Sequence, residues 1–185
     1  MRFGNHSDPE LDDTDLRILG LLQEDCRTSL VRIGEQVDLS APAVLERIKK
    51  LEAAGIITGY RAILDARRLG LDITAFIGVL ITHPSRIGDF ERQVAALRDV
   101  LECHHVTGEH TLLLKVKTEN TSSLERLISQ IRSLDGVSRT ETMVVLSTHT
   151  ERVQLALHSP AESAPAHPGK RARRNGERHA HAGRG

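Results

Sequence analysis

The chain has 185 residues, with 25 Lys and Arg balancing 25 Asp and Glu, 39% apolar residues and only 2% aromatic ones. That length accommodates one or two small domains, and the zero formal charge excludes a polycation that coats nucleic acid with its whole surface. There is no run of 18 apolar residues and no basic-then-apolar leader, and the distant Cys26 and Cys103 frame neither a disulfide scaffold nor a zinc knuckle, so a reduced cytoplasmic protein without a membrane span is expected.

The charge is unevenly placed. Residues 1–39 carry a net −5, residues 40–69 a net +3, residues 70–158 a net −2 and residues 159–185 a net +4. A polyanionic partner should therefore meet residues 40–69 or the C-terminal stretch.

In chain order, LDDTD predicts the start of a first helix, with Asp12 as cap and Asp15 three residues on, and Ile18, Leu19 and Leu22 on one face as far as Asp25. Ser29 caps a second helix of about two turns with Leu30, Ile33 and Val37 inward. After a short turn at Asp38-Leu39, Ser40 caps a third helix that tolerates Pro42 in its first turn and buries Val44, Ile48 and Leu51 before Gly55 ends it. Residues 56–70 read as linker plus strand. Then come the strand ITAFIGVLIT, the amphipathic helix SRIGDFERQVAALRD with Ile87, Phe90, Val94 and Leu97 inward, and the strands VLECHHVTG and HTLLLKVKT. A helix through Leu124, Leu127, Ile131 and Leu134 and a final strand VSRTETMVVLSTHT complete a β-α-β-β-α-β order. The fold class is thus α+β: an N-terminal helix-turn-helix, winged-helix-like domain followed by a ferredoxin-like βαββαβ domain. From Ser159 the composition is Pro, Ala, Gly, Arg and His without periodicity, and disorder is expected.

A helix-turn-helix reader of double-stranded DNA needs a capped second helix, a tight turn and a third helix with one apolar and one solvent face, and residues 29–55 meet each requirement. On the third helix Ala43, Arg47 and Lys50 are placed away from the core, with Glu46 and Lys49 beside them and the small Ala41 and Pro42 at the N-terminal end, where the helix can sink into a groove. An ordinary three-helix bundle with solvated Arg and Lys is the plainer reading of the same pattern. Cys103, His104, His105 and His110 are the one cluster with metal-ligand chemistry. Alternation on a strand separates His104 from His105, while Cys103 and His105 share a face that His110 could join across the hairpin. Packed sheet residues explain them as well, and no metal or cofactor is assigned. His179 and His181 lack any supporting shell. No GxSxG, P-loop, GxGxxG or HExxH occurs, so an enzyme is not expected.

LDDTDLRILGLLQEDCRTSL followed by LSAPAVLERIKKLEAAGIITGYRAILD resembles the N-terminal half of the Lrp/AsnC (leucine-responsive, feast/famine) regulators, and VLECHHVTGEHTLLLKV and GVSRTETMVVLST resemble their second half. The resemblance spans about residues 11–150 and implies a DNA-binding homodimer, often assembled into tetramers or octamers, whose C-terminal amino-acid-metabolism (RAM) domain binds a small effector, usually an amino acid. Taken with the composition at the two ends, the expected organisation is an N-terminal extension over 1–10, a helix-turn-helix domain over 11–56, a linker strand over 57–70, a RAM domain over 71–150 and a disordered basic tail over 151–185. DNA contacts are expected from Ser40 to Ala43, Glu46, Arg47, Lys49 and Lys50. Arg27, Thr28 and Ser29 should touch the DNA backbone at the start of the second helix, and Tyr60 with Arg61 should touch it from the linker. Effector contacts are expected from Thr107, Gly108, Glu109, His110 and Thr111, with Thr140 and Thr142 on the final strand. Two departures stand out. Asp38 occupies a turn position where the family usually has glycine, and Gly108-Glu109-His110-Thr111 replaces the family's G-D-x-D, which puts Thr111 in place of its second carboxylate. The implied role is a sequence-specific transcription regulator in the nucleoid, with an architectural DNA-compacting protein as the alternative. An enzyme of haem biosynthesis with related architecture, using His104, His105 and His110, is the remoter one.

Overall fold

The computed structural model describes residues 11–157, which form two compact units: residues 11–60 with 153–157, and residues 61–152.

The first unit is a tri-helical bundle. Helix α1 spans Asp13–Glu24, α2 Leu30–Val37 and α3 Ala41–Ala53. Each starts where a side chain replaces a missing intrahelical acceptor: Asp12 takes the Asp15 amide at 2.8 Å, Ser29 that of Arg32 and Ser40 that of Ala43. Asp15 returns the favour to the Asp12 amide, which closes a capping box. Ile18, Ile33, Val37, Val44 and Ile48 form the buried core, with Leu21, Leu22, Leu30, Leu39 and Ile57 packed around it. The turn between α2 and α3 is made by Asp38, left-handed at φ 56°, as the departure from glycine predicts. Gly34 has a role the sequence reading missed. It is buried, and a Cβ there would collide with the Leu39 carbonyl, so only glycine lets the chain double back this closely.

The second unit is a four-stranded antiparallel sheet in the order β2-β3-β1-β4, with β1 at Ile73–Ile81, β2 at Val100–His105, β3 at Leu112–Thr118 and β4 at Val137–Val144. Helices α4 (Ile87–Ala95) and α5 (Thr121–Arg132) bury Phe90, Val94, Leu124, Leu127 and Ile131 against one face of it. Strict alternation decides which residues meet them: Ala75, Ile77, Val79 and Ile81 of β1 and Leu112, Leu114 and Val116 of β3 are buried. The opposite face carries Phe76, Leu80, Leu113 and Met143, and no helix of this unit covers it.

Two expectations need correction. No strand forms over residues 57–70: the segment is irregular apart from one 3₁₀ turn at Arg67–Leu69. Ile63 and Leu64 stay exposed, because an extended segment becomes a strand only when a neighbour pairs with it, and the described chain supplies none. The second concerns the tail expected from residue 151 onward. Val153–Leu157 belong to the helical unit, where Leu155 hydrogen-bonds Gln23 of α1. Residues 158–185, where the rest of that tail was expected, lie outside the described residues, as do 1–10.

Candidate DNA-binding and ligand-binding sites

The third helix shows two polar faces of different character. Ala43 and Arg47 are half-buried and turn toward the start of α1, where the Arg47 Nη1 meets Asp12 Oδ2 at 2.7 Å and Asp15 Oδ1 at 2.8 Å. The Arg47 side chain is 32% exposed and that of Asp15 only 15%. The pairing is reflected in both partners. The Asp15 amide, followed by Arg47, holds the Asp12 carboxyl below the usual carboxylate range, and the hydrogen bonds to Asp15 and Asp12 push the Arg47 guanidinium up. The stripe Ala43-Arg47-Lys50 thus borders a cleft against α1, and only Lys50 in it is fully exposed.

The face that points to solvent consists of Pro42, Leu45, Glu46 and Lys49, with Lys49 and Glu46 in a loose surface pair at 3.2 Å. Leu45 is 37% exposed and Val31 on α2 is 61% exposed. Neither was picked out from sequence, although Leu45 falls off the Val44-Ile48-Leu51 stripe and its period marks it as outward-facing. Of the remaining candidates, Ser29 and Ser40 use their hydroxyls as helix caps, and Arg27 is exposed with its amide on Asp25. Thr28 is half-buried, Ala41 is half-buried at the helix start, and Arg61 is exposed. The Tyr60 hydroxyl donates to Glu52 at 3.0 Å, and burial followed by that neighbouring carboxylate pushes its pKa up.

In the sheet unit the loop Thr107–Thr111 is the tip of the β2–β3 hairpin, with Gly108 at φ 114°. Thr111 turns inward. Its amide donates to the Val79 carbonyl at 2.9 Å and its hydroxyl accepts from the Ile81 amide at 3.2 Å, so the hydroxyl that stands in the place of a carboxylate bolts the hairpin to the end of β1. His110 lies flat over Gly78 on the uncovered sheet face. A Cβ at Gly78 would come within 2.5 Å of its ring. His110 Nε2 is 3.5 Å from Glu141, and Arg139 lies 3.6 Å from Glu109 and 3.9 Å from Glu141. A four-residue polar cluster of His110, Glu109, Arg139 and Glu141 results, and the sequence pattern does not point to Arg139 and Glu141. Strand alternation sets only the face they share, since they flank Thr140 on β4. Thr140 and Thr142 pair with the buried Val79 and Ile77 and so share the helix-covered face, apart from this cluster.

The histidine cluster does not assemble. Glu102 and His104 face the uncovered side, where they join Lys115, while Cys103 and His105 lie opposite buried Leu114 and Leu112 on the other. His110 therefore cannot complete a set with Cys103 and His105, and no group of three potential metal ligands is found among the described residues. A separate cavity of about 340 Å³ opens at the far end of the sheet, lined by Thr74 and Lys117 together with Asp65, Arg67, Asp72, Ser147, Thr148 and Glu151.

Comparison with known proteins decides what this pair of units is. The AsnC-type helix-turn-helix domain family matches residues 11–52, and the Lrp/AsnC ligand binding domain family matches residues 74–155. A leucine-responsive regulatory protein of Rhizobium meliloti is 36% identical over 151 residues, covering 80% of this chain and 97% of the relative. The chain belongs to the Lrp/AsnC family. A proline dehydrogenase transcriptional activator of Rhizobium radiobacter is likewise 36% identical, over 80% of this chain and 96% of its own. Among solved structures, a Neisseria meningitidis transcriptional regulator in complex with L-Met superposes with a TM-score of 0.76 at 33% identity, covering 79% of this chain and 96% of that one. E. coli AsnC follows the same fold with a TM-score of 0.74 at 29% identity, over 78% of this chain and 97% of its own. This Lrp/AsnC protein is accordingly a helix-turn-helix transcription regulator with a ligand-binding domain, and the sequence resemblance is borne out in both halves. Among the described residues no helix is long and apolar enough to cross a membrane.

Proposed function

We propose that this regulator reads DNA with the Pro42-Leu45-Glu46-Lys49 face of α3 and regulates amino-acid metabolism under the control of a small amino-acid effector. The observation that carries the DNA half is the outward face itself: an apolar side chain flanked by Lys49 and Glu46, on a helix whose Ser40-capped start is free of bulky groups. Leu45 and Pro42 suit thymine methyls and Lys49 a guanine edge or a phosphate, while Ser40 to Ala43 make the closest approach. Lys50, Arg27 and the amides at Thr28 and Ser29 supply backbone contacts, and Arg61 adds one from the linker. Tyr60 is exposed, but its hydroxyl is engaged by Glu52, so a contact from it would have to give up that bond. Arg47 holds α3 to α1 and so fixes the angle at which the reading face is presented. A DNA partner supports the expected cytoplasmic, nucleoid-associated location.

The uncovered sheet face, with Phe76, Leu80, Leu113 and Met143 ringed by the ion pairs of Lys115 and Arg139, is the surface on which two copies would pair. Two-fold pairing presents two α3 helices to successive major grooves, about 34 Å apart. The effector would lie against the hairpin tip at Gly108 to His110, where exposed backbone and Arg139 accept a carboxylate and Glu109 or Glu141 an ammonium. Support comes from the relatives, one leucine-responsive by name and one crystallised with L-Met. The mixed-charge cavity at Lys117, Arg67 and Asp72 favours a second reading, since it offers both signs a zwitterion requires.

Fluorescence anisotropy of the duplex upstream of the gene, against a scrambled duplex of equal composition, with and without L-Met and L-Leu, tests the proposal. A preference for the native duplex that moves with an amino acid supports it, with coupling of about 1–3 kcal/mol expected. Loss of the shift in Arg139→Ala places the effector at the hairpin, and loss in Lys117→Ala places it in the cavity. Equal binding of both duplexes without a shift would leave the architectural role.

A further inference from the structure

At the end of the sheet away from the hairpin tip, the segment that enters β1 and the segment that leaves β4 meet beside Thr74 and Lys117 and enclose the cavity of about 340 Å³. Thr74 and Lys117, partners across β1 and β3, are both half-buried. Each wall is fixed by bonds of its own. On the entering side Asp65 Oδ1 accepts from the amides of Arg67 at 3.0 Å and Arg68 at 3.3 Å, and the Leu71 amide closes on the Ala66 carbonyl at 2.9 Å. On the leaving side the Val145 amide donates to the Thr74 carbonyl at 2.9 Å, and Lys115 holds Glu151 at 2.6 Å. The chain itself therefore shapes the cavity, as a preformed ligand site requires.

Its charged lining consists of Asp65, Arg67, Asp72, Lys117 and Glu151. Two of the three carboxylates are already engaged. Asp65 serves the turn amides and pairs with Arg68 at 3.5 Å. Glu151 pairs with Lys115, whose hydrogen bond, helped by Lys117 at longer range, holds that carboxyl below the usual carboxylate range. Arg67, Lys117 and Asp72 remain, none with an ion-pair partner among the described residues. Two cations and one carboxylate thus face the same space, and their complement is a small molecule with two carboxylates and one ammonium. Thr74, Ser147 and Thr148 add hydroxyls to meet the remaining oxygen lone pairs. An amino acid with a neutral side chain would leave one cation unanswered. A basic one would set a second ammonium against two cations and a single open carboxylate.

We propose that this cavity is a site for an acidic amino acid, with Arg67 and Lys117 each taking one of the ligand's two carboxylates and Asp72 its ammonium. The inference rests on the cavity reading of the effector site and names its ligand; the hairpin tip can hold a different ligand at the same time.

The experiment is isothermal titration calorimetry of the full chain with L-Glu and L-Asp, set against their amides L-Gln and L-Asn, L-Leu, and the dicarboxylates glutarate and succinate. An acidic amino acid should bind at least about tenfold more tightly than its amide, which has the same length and lacks one charge. Arg67→Gln and Lys117→Gln should each weaken that binding by about tenfold or more. Asp72→Asn should weaken the amino acid and spare the dicarboxylate of equal length, which has no ammonium to lose. Arg67 and Asp72 are exposed, so their variants report even where Lys117→Gln, half-buried on β3, disturbs the sheet. Binding of the acids no tighter than of their amides would overturn the acidic class; if L-Gln or L-Leu then loses affinity in the cavity variants, the cavity reading stands without it. Binding untouched by all three cavity variants and lost in Arg139→Ala would overturn the site and move the ligand to the hairpin. Equal losses of amino acid and dicarboxylate in Asp72→Asn would overturn the charge match. Binding of no amino acid at all would overturn both the ligand and the cavity reading.

Discussion

Arg47 gives the sharpest prediction, because its position on α3 and its contacts assign it different jobs. Reading the helix as a pattern puts it in the groove, where removing a good base contact costs about 1–3 kcal/mol of specific binding. Its contacts put it between α1 and α3, with Nη1 at 2.7 Å from Asp12 and 2.8 Å from Asp15. The magnitude follows from exposure. The pair with half-exposed Asp12 is worth a few tenths of a kcal/mol at most, as surface pairs generally are. The one with Asp15, 15% exposed, approaches about 1.5 kcal/mol, the low end for a hydrogen bond to a charged group. Arg47→Ala also leaves two carboxylates facing each other across the capping box. A loss of about 1–2 kcal/mol is expected, which for a unit of this size lowers its melting temperature by roughly 5–15 °C. The assay pairs circular-dichroism melting of the full chain with hydrogen exchange of the α1 and α3 amides, and with DNA binding at 10 °C, where the variant is still folded. Exchange should quicken in both helices while the specific-to-scrambled ratio changes less than twofold. Lys49→Ala should do the reverse, sparing stability and weakening binding. A tenfold fall in specificity for Arg47→Ala with unaltered melting would refute the positioning role.

Three further outcomes follow from single contacts. Gly78→Ala should destabilise the sheet unit by about 1–3 kcal/mol, since its Cβ falls within 2.5 Å of the His110 ring, and His110→Ala in the same chain should restore most of that in a urea titration. Asp38→Gly should stabilise the helical unit by up to about 1 kcal/mol, because a φ of 56° strains any residue with a Cβ; an unchanged or lower denaturation midpoint would contradict the strain. Asp12 should make the helical unit acid-sensitive. Its folded pKa lies below that of the unfolded chain, so the ionised carboxylate contributes stability above the ordinary carboxylate range and loses it as pH falls through the lowered folded value. Wild type should therefore melt above Asp12→Asn at pH 6 and converge with it toward pH 3, Asn keeping the cap but not the charge; a gap independent of pH would point elsewhere.

Much of the fold was legible because local signals and burial agree. Asp12, Ser29 and Ser40 each cap the helix expected of them, and every residue placed inward on α4 and α5 is buried or packs on the core. The failures share a cause. The extended pattern of 57–70 predicts a strand whose partner the described chain does not supply, and nothing local to Gly34 says that the chain returns beside it at Leu39. Gln23 is the extreme instance, a polar residue on α1 whose partner lies 132 positions away. Periodicity reports which face is inward; it carries no information about which distant backbone arrives there.

The same limit explains why the sites were read less well than the elements that carry them. Helical period separates buried from exposed, yet Arg47 and Lys49 both count as outward by that measure, and only the place where α1 crosses α3 shows that Arg47 is held by Asp12 and Asp15 while Lys49 stays exposed beside Glu46. At the hairpin, Thr111 in place of a carboxylate reads from sequence as a lost charge at a ligand site. In the fold its hydroxyl engages the Ile81 amide, and the charges nearest the loop tip come from Arg139 and Glu141 on β4. A ligand's carboxylate would thus meet an arginine already shared by two acids. Binding would compete with Glu109 and Glu141 for Arg139, and a carboxylate drawn away from it is then available to an incoming ammonium. Selectivity at such a site is set by that exchange of partners, so Glu109→Gln and Glu141→Gln should alter which amino acid is preferred more than how tightly the best one binds. Competition anisotropy with a panel of amino acids measures it, and identical rank orders in wild type and both variants would exclude the exchange.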